Sequence, residues 1–391
     1  MSKYIKDPIY DSYLKFSADE LNLIDTKEFK RLKNIKQLGS LEHVFPGATH
    51  TRFSHSLGVA HQAETFTKSI YENSNITLRN GNNRICRNIK IAGLYHDIGH
   101  GPFSHVFDNI VLNKLCPNHR LKNHEDRSCH ILEKVCNRLD STIFNGYDID
   151  FIKNAINPTK NLSLYTSQIV SNSINSIDVD KFDYLVRDPY YIGFNFGFNY
   201  KRLYNRTRLF QDEIHYHESV ANDIYDMYYT RYKYHREIYN HKAVKSIELM
   251  IGDILLESND VYNFPSILDS PEFIDLDDTI TTRIRYNNEL LTNPKELLQR
   301  IDSRDLYKRI YESSDNIECV KDYIEDTYPD KKKDDFHIIK MNFDFCNKEA
   351  TPFSNIKFYN NKLESVDYKN INIRKLIPNN FRETSVVVYE K

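Results

Sequence analysis

The sequence predicts a mainly α fold, with a helical core over residues 1–262 and a small α+β lobe over residues 263–391 packed on it. Three observations carry that reading. Apolar residues recur at helical spacing as far as about residue 260, between short polar loops. Beyond Asn263, Pro265, Pro271 and Pro294 interrupt the pattern, and alternating stretches suited to strands follow. A chain of 391 residues that is 40% hydrophobic and 28% charged can bury a large core and is not disordered.

In chain order, Asp25-Thr26-Lys27-Glu28 reads as a capping box, because Asp25 and Glu28 are spaced to satisfy each other's free backbone N–H groups. Phe29, Leu32 and Ile35 follow at helical spacing, with Gly39 as a C-terminal stop. Helices are expected over about 52–71 and 85–98, with Asn80-Gly81-Asn82-Asn83 and Asn145-Gly146 as loops. Two more are expected over about 168–187 and 221–258. In the last part, 330–335 is a charged loop, and strands are expected at 336–345, 356–359 and 385–389.

The formal net charge of −2 provides no global basic field, so nucleic acid is a possible partner but not a favoured one. No apolar run has transmembrane length and residues 1–8 lack a signal-peptide core, so no membrane association is expected. The expected location is intracellular, cytoplasmic or nuclear; Lys331-Lys332-Lys333 is too short to choose. Cys86, Cys116, Cys129, Cys136, Cys319 and Cys346 form no Cys-x-x-Cys pair and read as reduced thiols, which argues against sulfur ligation.

Ten of the fifteen histidines lie between His43 and His130. Among them, His96-Asp97 closes the apolar stretch Ala92-Gly93-Leu94-Tyr95. With His55 upstream and Asp180 downstream, it offers two imidazoles and two carboxylates to one divalent ion. Such a nitrogen/oxygen set suits iron, manganese or zinc and leaves positions for water and substrate oxygens. A single buried histidine is more often a hydrogen-bonded core group. His96, His100 and His105 within ten residues are costly to bury without a shared task. His61, His119 and His130 lack such context and read as structural.

Further along, Asp180, Tyr184, Arg187 and Asp188 share one helical stripe, and Arg231, His235 and Tyr239 another. Stripes of this kind are ordinarily core or solvated surface in a chain with 28 tyrosines. Their neighbouring motifs raise them above that.

Those motifs are Ile35-Lys36-Gln37-Leu38-Gly39, Val44-Phe45-Pro46-Gly47-Ala48, Arg52-Phe53-Ser54-His55-Ser56-Leu57-Gly58, His96-Asp97-Ile98-Gly99-His100-Gly101-Pro102-Phe103-Ser104-His105, His124-Glu125, Ile177-Asp178-Val179-Asp180-Lys181-Phe182-Asp183-Tyr184 and Tyr239-Asn240-His241-Lys242. Together they resemble the HD-domain phosphohydrolases, in particular the branch of dNTP triphosphohydrolases that also carries a sterile-alpha-motif domain. The resemblance implies hydrolysis of dNTP at the α-phosphate to deoxynucleoside and inorganic triphosphate.

It also implies roles. His55, His96, Asp97 and Asp180 are the metal ligands. His105 and Asp108 form a dyad, Asp108 orienting His105 as general acid toward the 5′-oxygen. His100 and His124, with Glu125, attend the α-phosphate and the attacking water. Arg52, Lys181 and Arg231, with His235, hold phosphates that carry magnesium. Gln37 and Leu38 read the 3′-hydroxyl, and Tyr184, Asp188 and Tyr239 enclose the deoxyribose.

In that branch guanine nucleotides assemble the protein. Asp25, Val44, Phe45, Arg304 and Lys308 match the regulatory positions, whereas Lys6, Lys30 and Lys33 replace other polar or basic groups there. A GTP or dGTP activator and a homo-oligomer, dimer or tetramer, are therefore expectations, with constitutive assembly the alternative. The competing functions are an HD-domain nucleotidase or phosphodiesterase of other substrate, and a nucleotide-sensing or nucleic-acid-binding scaffold.

Overall fold

A computed structural model of the chain describes residues 2–139, 143–158, 164–194, 198–286, 291–373 and 377–391. Its centre is a pair of packed helices, α1 (Arg52–Asn73) and α2 (Asn80–Tyr95). The inward face of α1 carries Leu57, Val59, Ala60, Ala63, Phe66 and Ile70, all buried at helical spacing. Helices α3 (His124–Arg138), α4 (Val179–Ile192), α5 (Ala221–Lys233) and α6 (Lys242–Glu257) each give residues to the wall of a central cavity, with α4 packed on α1.

Among the described residues, three small sheets accompany the helices. Strands β1 (Lys3–Ile5) and β2 (Leu14–Phe16) form a hairpin ahead of the helical part. Strands β3 (Thr207–Phe210) and β4 (Glu213–His217) pair antiparallel, and β4 then pairs parallel with β7 (Phe358–Tyr359), which is followed by β8 (Ser365–Val366). The last sheet has the order β5 (Lys308–Ser313), β9 (Arg382–Glu390), β6 (Phe336–Asp344). The sheet through β4 and β7 joins residues on either side of residue 263. One apolar core runs from Tyr10 to Tyr389, and a second small cluster (Val320, Ile324, Phe336, Val386, Val388) lies under the helix Ile317–Thr327.

Several sequence expectations are corrected. The capping box belongs to Ser17 and Glu20, at the helix Ala18–Ile24, while Thr26 and not Asp25 caps Lys27–Lys30. The helix expected to run to Gly39 ends earlier. A 3₁₀ turn, Arg31–Asn34, leads into extended backbone at Ile35, where Gln37 N bonds His50 O and Arg52 N bonds Ile35 O. Gly39, at φ +51°, opens a second 3₁₀ turn rather than stopping a helix.

The helix expected at 168–187 begins only at Val179, because the Asp178 carboxylate accepts from Lys181 N and sets the N-cap. The 221–258 segment is two helices. After Lys233 a π-helical turn, Tyr234–Tyr239, and a break at Asn240–His241 separate them. The strand at 336–345 is present as Phe336–Asp344, that at 356–359 shrinks to Phe358–Tyr359, and the last strand is longer than expected, whereas β1 to β5 and β8 were not read from alternation.

Candidate active site

The four expected ligands come from three places in the chain; His55, His96 and Asp180 cluster at one point, while Asp97 stands at its edge and clusters with His100 and His124. His55 lies in the first turn of α1, His96 caps the C-terminus of α2 with Asp97 following, and Asp180 lies in the first turn of α4. His55 Nε2 stands 3.0 Å from Asp180 Oδ1 and 3.7 Å from Asp97 Oδ2. His96 Nε2 stands 3.4 Å from Asp97 Oδ1 and 3.6 Å from Asp180 Oδ1. Both Nε2 atoms are buried without an aligned hydrogen-bond partner. Ring nitrogens and carboxylate oxygens that crowd one point in poorly aligned contacts fit a shared cation.

The outward nitrogen of each imidazole is fixed. His96 Nδ1 donates to Gly93 O at 2.8 Å. His55 Nδ1 donates to Asp183 Oδ2 at 2.7 Å, and Asp183 is in turn bound by Arg187 and by the Tyr10 hydroxyl. This is the carboxylate–histidine arrangement that sets a ligand's tautomer. Gly58 makes it possible, since a Cβ there would overlap the Asp183 carboxylate and the Arg187 guanidinium.

Electrostatics follow from this crowding. Burial alone would depress His55, but bonding to Asp180 and Asp183 and the charges of Asp183 and Asp97 hold its imidazole up to about 10. Burial opposes ionisation of Asp97 and Asp180 as well. Arg52, His96 and His100 nevertheless hold Asp97 well below the usual carboxylate range, and His55 and His96 do the same for Asp180.

The ligand cluster forms one wall of a cavity of about 550 Å³. Gln37, Leu38, Arg52, His100, His105 and His124 line it on one side, and Lys181, Tyr184, Asp188, Arg231, His235 and Tyr239 on the other. Its cations already have anionic or carbonyl partners: Arg52 binds Asp97 and Ser104 Oγ, Lys181 binds Asp178 at 2.8 Å, and Arg231 donates to Asp344 O at 3.0 Å. His55 and His96 lie behind the lining, and Glu125, 3.4 Å from His124 Nε2, is outside it. The six regulatory candidates lie outside it too. Asp25 pairs with Lys30, Lys33 sits over the Phe53 ring, Phe45 packs edge-on to His241, and Arg304 donates to His43 O next to Val44. Lys308 is exposed on β5.

The expected dyad is corrected. Asp108 makes no hydrogen bond to His105. It accepts from His124 Nδ1 at 2.8 Å and from His124 N at 3.1 Å, and its other oxygen is held by Arg127. The cause is a π-helical turn, Phe107–Leu112, preceded by Phe103 and Ser104 at positive φ, which points His105 into the cavity and Asp108 away from it. His105 is open to the cavity yet ringed by protein. That confinement, with His124 and Arg52 nearby, pulls its imidazole down to about 4. His100 and His124 stack at 3.8 Å, and both approach His105 edge-on.

Sequence reasoning missed several supports. Asp183 and Arg127 lie three residues after Asp180 and His124, so helical spacing from the motifs would have found them. Asp278, which accepts from Lys36 N at 2.8 Å and Phe103 N at 2.6 Å, and His50, bound to Asp188, had no such signal. Asn109, Asn240, Lys245 and Glu248 also line the cavity. No helix among the described residues is long and apolar enough to cross a membrane.

A partly buried cluster of two histidines and two aspartates, carried on the first turns and the end of packed helices, defines the HD-domain class. A model of the HD domain matches residues 52–188, and the chain belongs to the HD domain family. An HD domain-containing protein of Acanthamoeba polyphaga mimivirus is 38% identical over 89% of this chain and 83% of its own length. The deoxynucleoside triphosphate triphosphohydrolase SAMHD1 homolog of Dictyostelium discoideum is 32% identical over 99% of this chain and 77% of its own. The deoxynucleoside triphosphate triphosphohydrolase SAMHD1 of Bos taurus is 31% identical over 100% and 75%.

Proposed function

We propose that this chain is a deoxynucleoside triphosphate triphosphohydrolase, cleaving dNTP at the α-phosphate to deoxynucleoside and inorganic triphosphate. The observation that carries this reading is one cavity bordered by the His/Asp cluster, the cations Arg52, Lys181, Arg231 and Lys245, and a carboxylate–tyrosine pair. The named activity of relatives matched over the whole chain supports it.

One divalent ion, iron, manganese or zinc, would be held by His55, His96, Asp97 and Asp180. When bound, it supplies Lewis acidity toward a phosphoryl oxygen and makes water more acidic. The protein's own groups do the rest. Arg52, Lys181 and Arg231 receive the triphosphate oxygens, with magnesium on the phosphates and His235 beside them. Each cation exchanges a protein acceptor for a substrate one, so charge is already organised before binding.

Water attacks the α-phosphorus, and the bond to the 5′-oxygen breaks. The water proton is taken up by His124, which Asp108 orients, with His100 stacked behind it and Glu125 at its rim. His105 delivers a proton to the departing 5′-oxygen. Its imidazole sits low in the free protein, and the negative charge of the triphosphate raises it toward the acid form. Gln37, Leu38, Tyr184, Asp188 and Tyr239 hold the deoxyribose.

Asp25, Lys33, Val44, Phe45, Arg304 and Lys308 form a separate surface for a guanine nucleotide, GTP or dGTP, in a homo-oligomer. Their placement outside the cavity supports a role distinct from catalysis.

The test is one assay. Metal-reconstituted protein is incubated with each dNTP, with and without GTP, and the products are separated by chromatography. Tripolyphosphate is expected, and is lost in His105→Ala and Asp180→Ala. Orthophosphate from dAMP, with no tripolyphosphate from any dNTP, would overturn the assignment.

A further inference from the structure

His50 is buried at 4% exposure just before α1, and none of the roles above uses it. It touches both sides of the sugar subsite. Its Nε2–H donates to Asp188 Oδ1 at 2.8 Å, while its backbone oxygen accepts from Gln37 N at 3.0 Å. Its ring stacks on Tyr191, three residues beyond Asp188 on α4, with centroids 4.5 Å apart and planes 15° from parallel. His50 Nδ1 has no partner, which leaves Nε2 as the donor.

The two groups it joins are poised for a hydroxyl. The second oxygen of Asp188 accepts from Tyr239 at 2.6 Å, so each oxygen is anchored by one donor and keeps lone pairs for a ligand. Gln37 Oε1 is buried without a partner. A sugar hydroxyl is one donor and an acceptor together, and a carboxylate beside a primary amide complements both. Hydrogen bonds to one hydroxyl act together only at a set separation, and one residue bridges the two readers.

We infer that His50 is the positioning residue for recognition of the 3′-hydroxyl, holding Asp188 and Gln37 at the spacing that selects sugars carrying it. The inference rests on the dNTP reading above. It assigns His50 to selectivity rather than to chemistry, so its loss acts on KM for the natural substrate and leaves metal content alone.

The test compares each dNTP with its 2′,3′-dideoxy counterpart in wild type, His50→Phe and His50→Gln. Phenylalanine keeps the stack on Tyr191 and removes the donor; glutamine restores an amide N–H near the Nε2 position. His50→Phe is expected to lower the dNTP/ddNTP ratio of kcat/KM by about tenfold, the worth of a hydrogen bond to a charged group. The loss falls on KM for dNTP, and His50→Gln recovers most of it. Where His50→Phe does not fold, His50→Asn, too short to reach Asp188, takes its place.

An unchanged ratio, or an equal loss on both substrates, overturns the inference. Should wild type release no tripolyphosphate from any dNTP, the activity assignment fails by itself. Calorimetric binding of 2′-deoxyadenosine against 2′,3′-dideoxyadenosine then reads the same selectivity, and equal affinities in wild type count against His50.

Discussion

Asp108 binds the imidazole of His124, Nδ1 to Oδ2 at 2.8 Å, although His105 lies only three residues before it in the chain. The bond fixes one orientation of the His124 ring and aims Nε2 at the cavity rim. Arg127, on the same helix as His124, holds the other oxygen of Asp108, and against burial His124 first and Arg127 next keep the carboxylate ionised. The pair is thus a unit built across the π-helical turn and α3.

Asp108→Asn keeps the shape and replaces an acceptor by an amide that can present N–H to the ring. We expect kcat to fall by about 10²-fold, the usual range for a disabled proton-transfer group, with metal content by elemental analysis unchanged. In a His124→Gln background the same change should add little, because the two residues act as one. Full additivity in that cycle would argue against the pairing.

Metal uptake should release protons. Without a cation, His55 carries a proton up to about pH 10, held there by Asp180, Asp183 and Asp97 against the cost of burial. A ligating imidazole must give that proton up. Calorimetry with manganese at pH 8, in buffers of different ionisation enthalpy, is expected to show about one proton released per ion. Heats independent of buffer would contradict the protonated apo site.

Gly58→Ala tests the close approach of α1 to α4. Its Cβ would occupy the space of the Asp183 and Arg187 side chains, both fully buried. Overpacking of this kind costs about 1–3 kcal/mol. Displacing Asp183 also frees the His55 ring. The variant should melt several degrees lower, and the part of it that folds should retain less metal in equilibrium dialysis. Wild-type melting and metal retention together would show that the helices can part without cost.

Asp278 gives stability a defined pH dependence. Burial raises its carboxyl to about 6, despite the bonds from Phe103 N and Lys36 N. Its folded-state pKa lies above the unfolded value of about 4, so the folded state binds the extra proton between those limits. That contribution is fully present below about pH 4 and is lost as pH rises through about 6. In chemical unfolding, the stability of wild type relative to Asp278→Asn should therefore decline across this window. A constant difference would mean that the carboxyl titrates normally.

Much of the centre was legible from sequence because helical spacing and the His-Asp doublet are local signals. The existence of α2 was legible, but its bounds were not: expected over 85–98, it spans Asn80–Tyr95, so Asn80-Gly81-Asn82-Asn83, read as a loop, forms its first turn. The stripe Asp180, Tyr184, Asp188 needs only a helical repeat, which α4 supplies. The stripe Arg231, His235, Tyr239 also faces the cavity, although it crosses into a π-helical turn whose wider repeat suits steps of four better than an α-helix does. Of the short strands only β7 was legible, inside the stretch expected at 356–359, since two to six residues carry little readable alternation, and its pairing with β4 spans more than 140 positions of chain.

By itself the sequence determined the chemistry on offer: which side chains stand on which helices, and that two imidazoles and two carboxylates are available to one ion. Only the tertiary structure decided partnership. Asp108 went to His124 because a π-helical turn rotated it from His105, and Asp188 went to His50 because an extended segment ahead of α1 laid that ring on Tyr191. Side-chain types and their periodicity are properties of neighbours along the chain. Which donor meets which acceptor is set by backbone turns a fraction of a residue wide and by contacts between distant segments, and the linear pattern does not encode those directly.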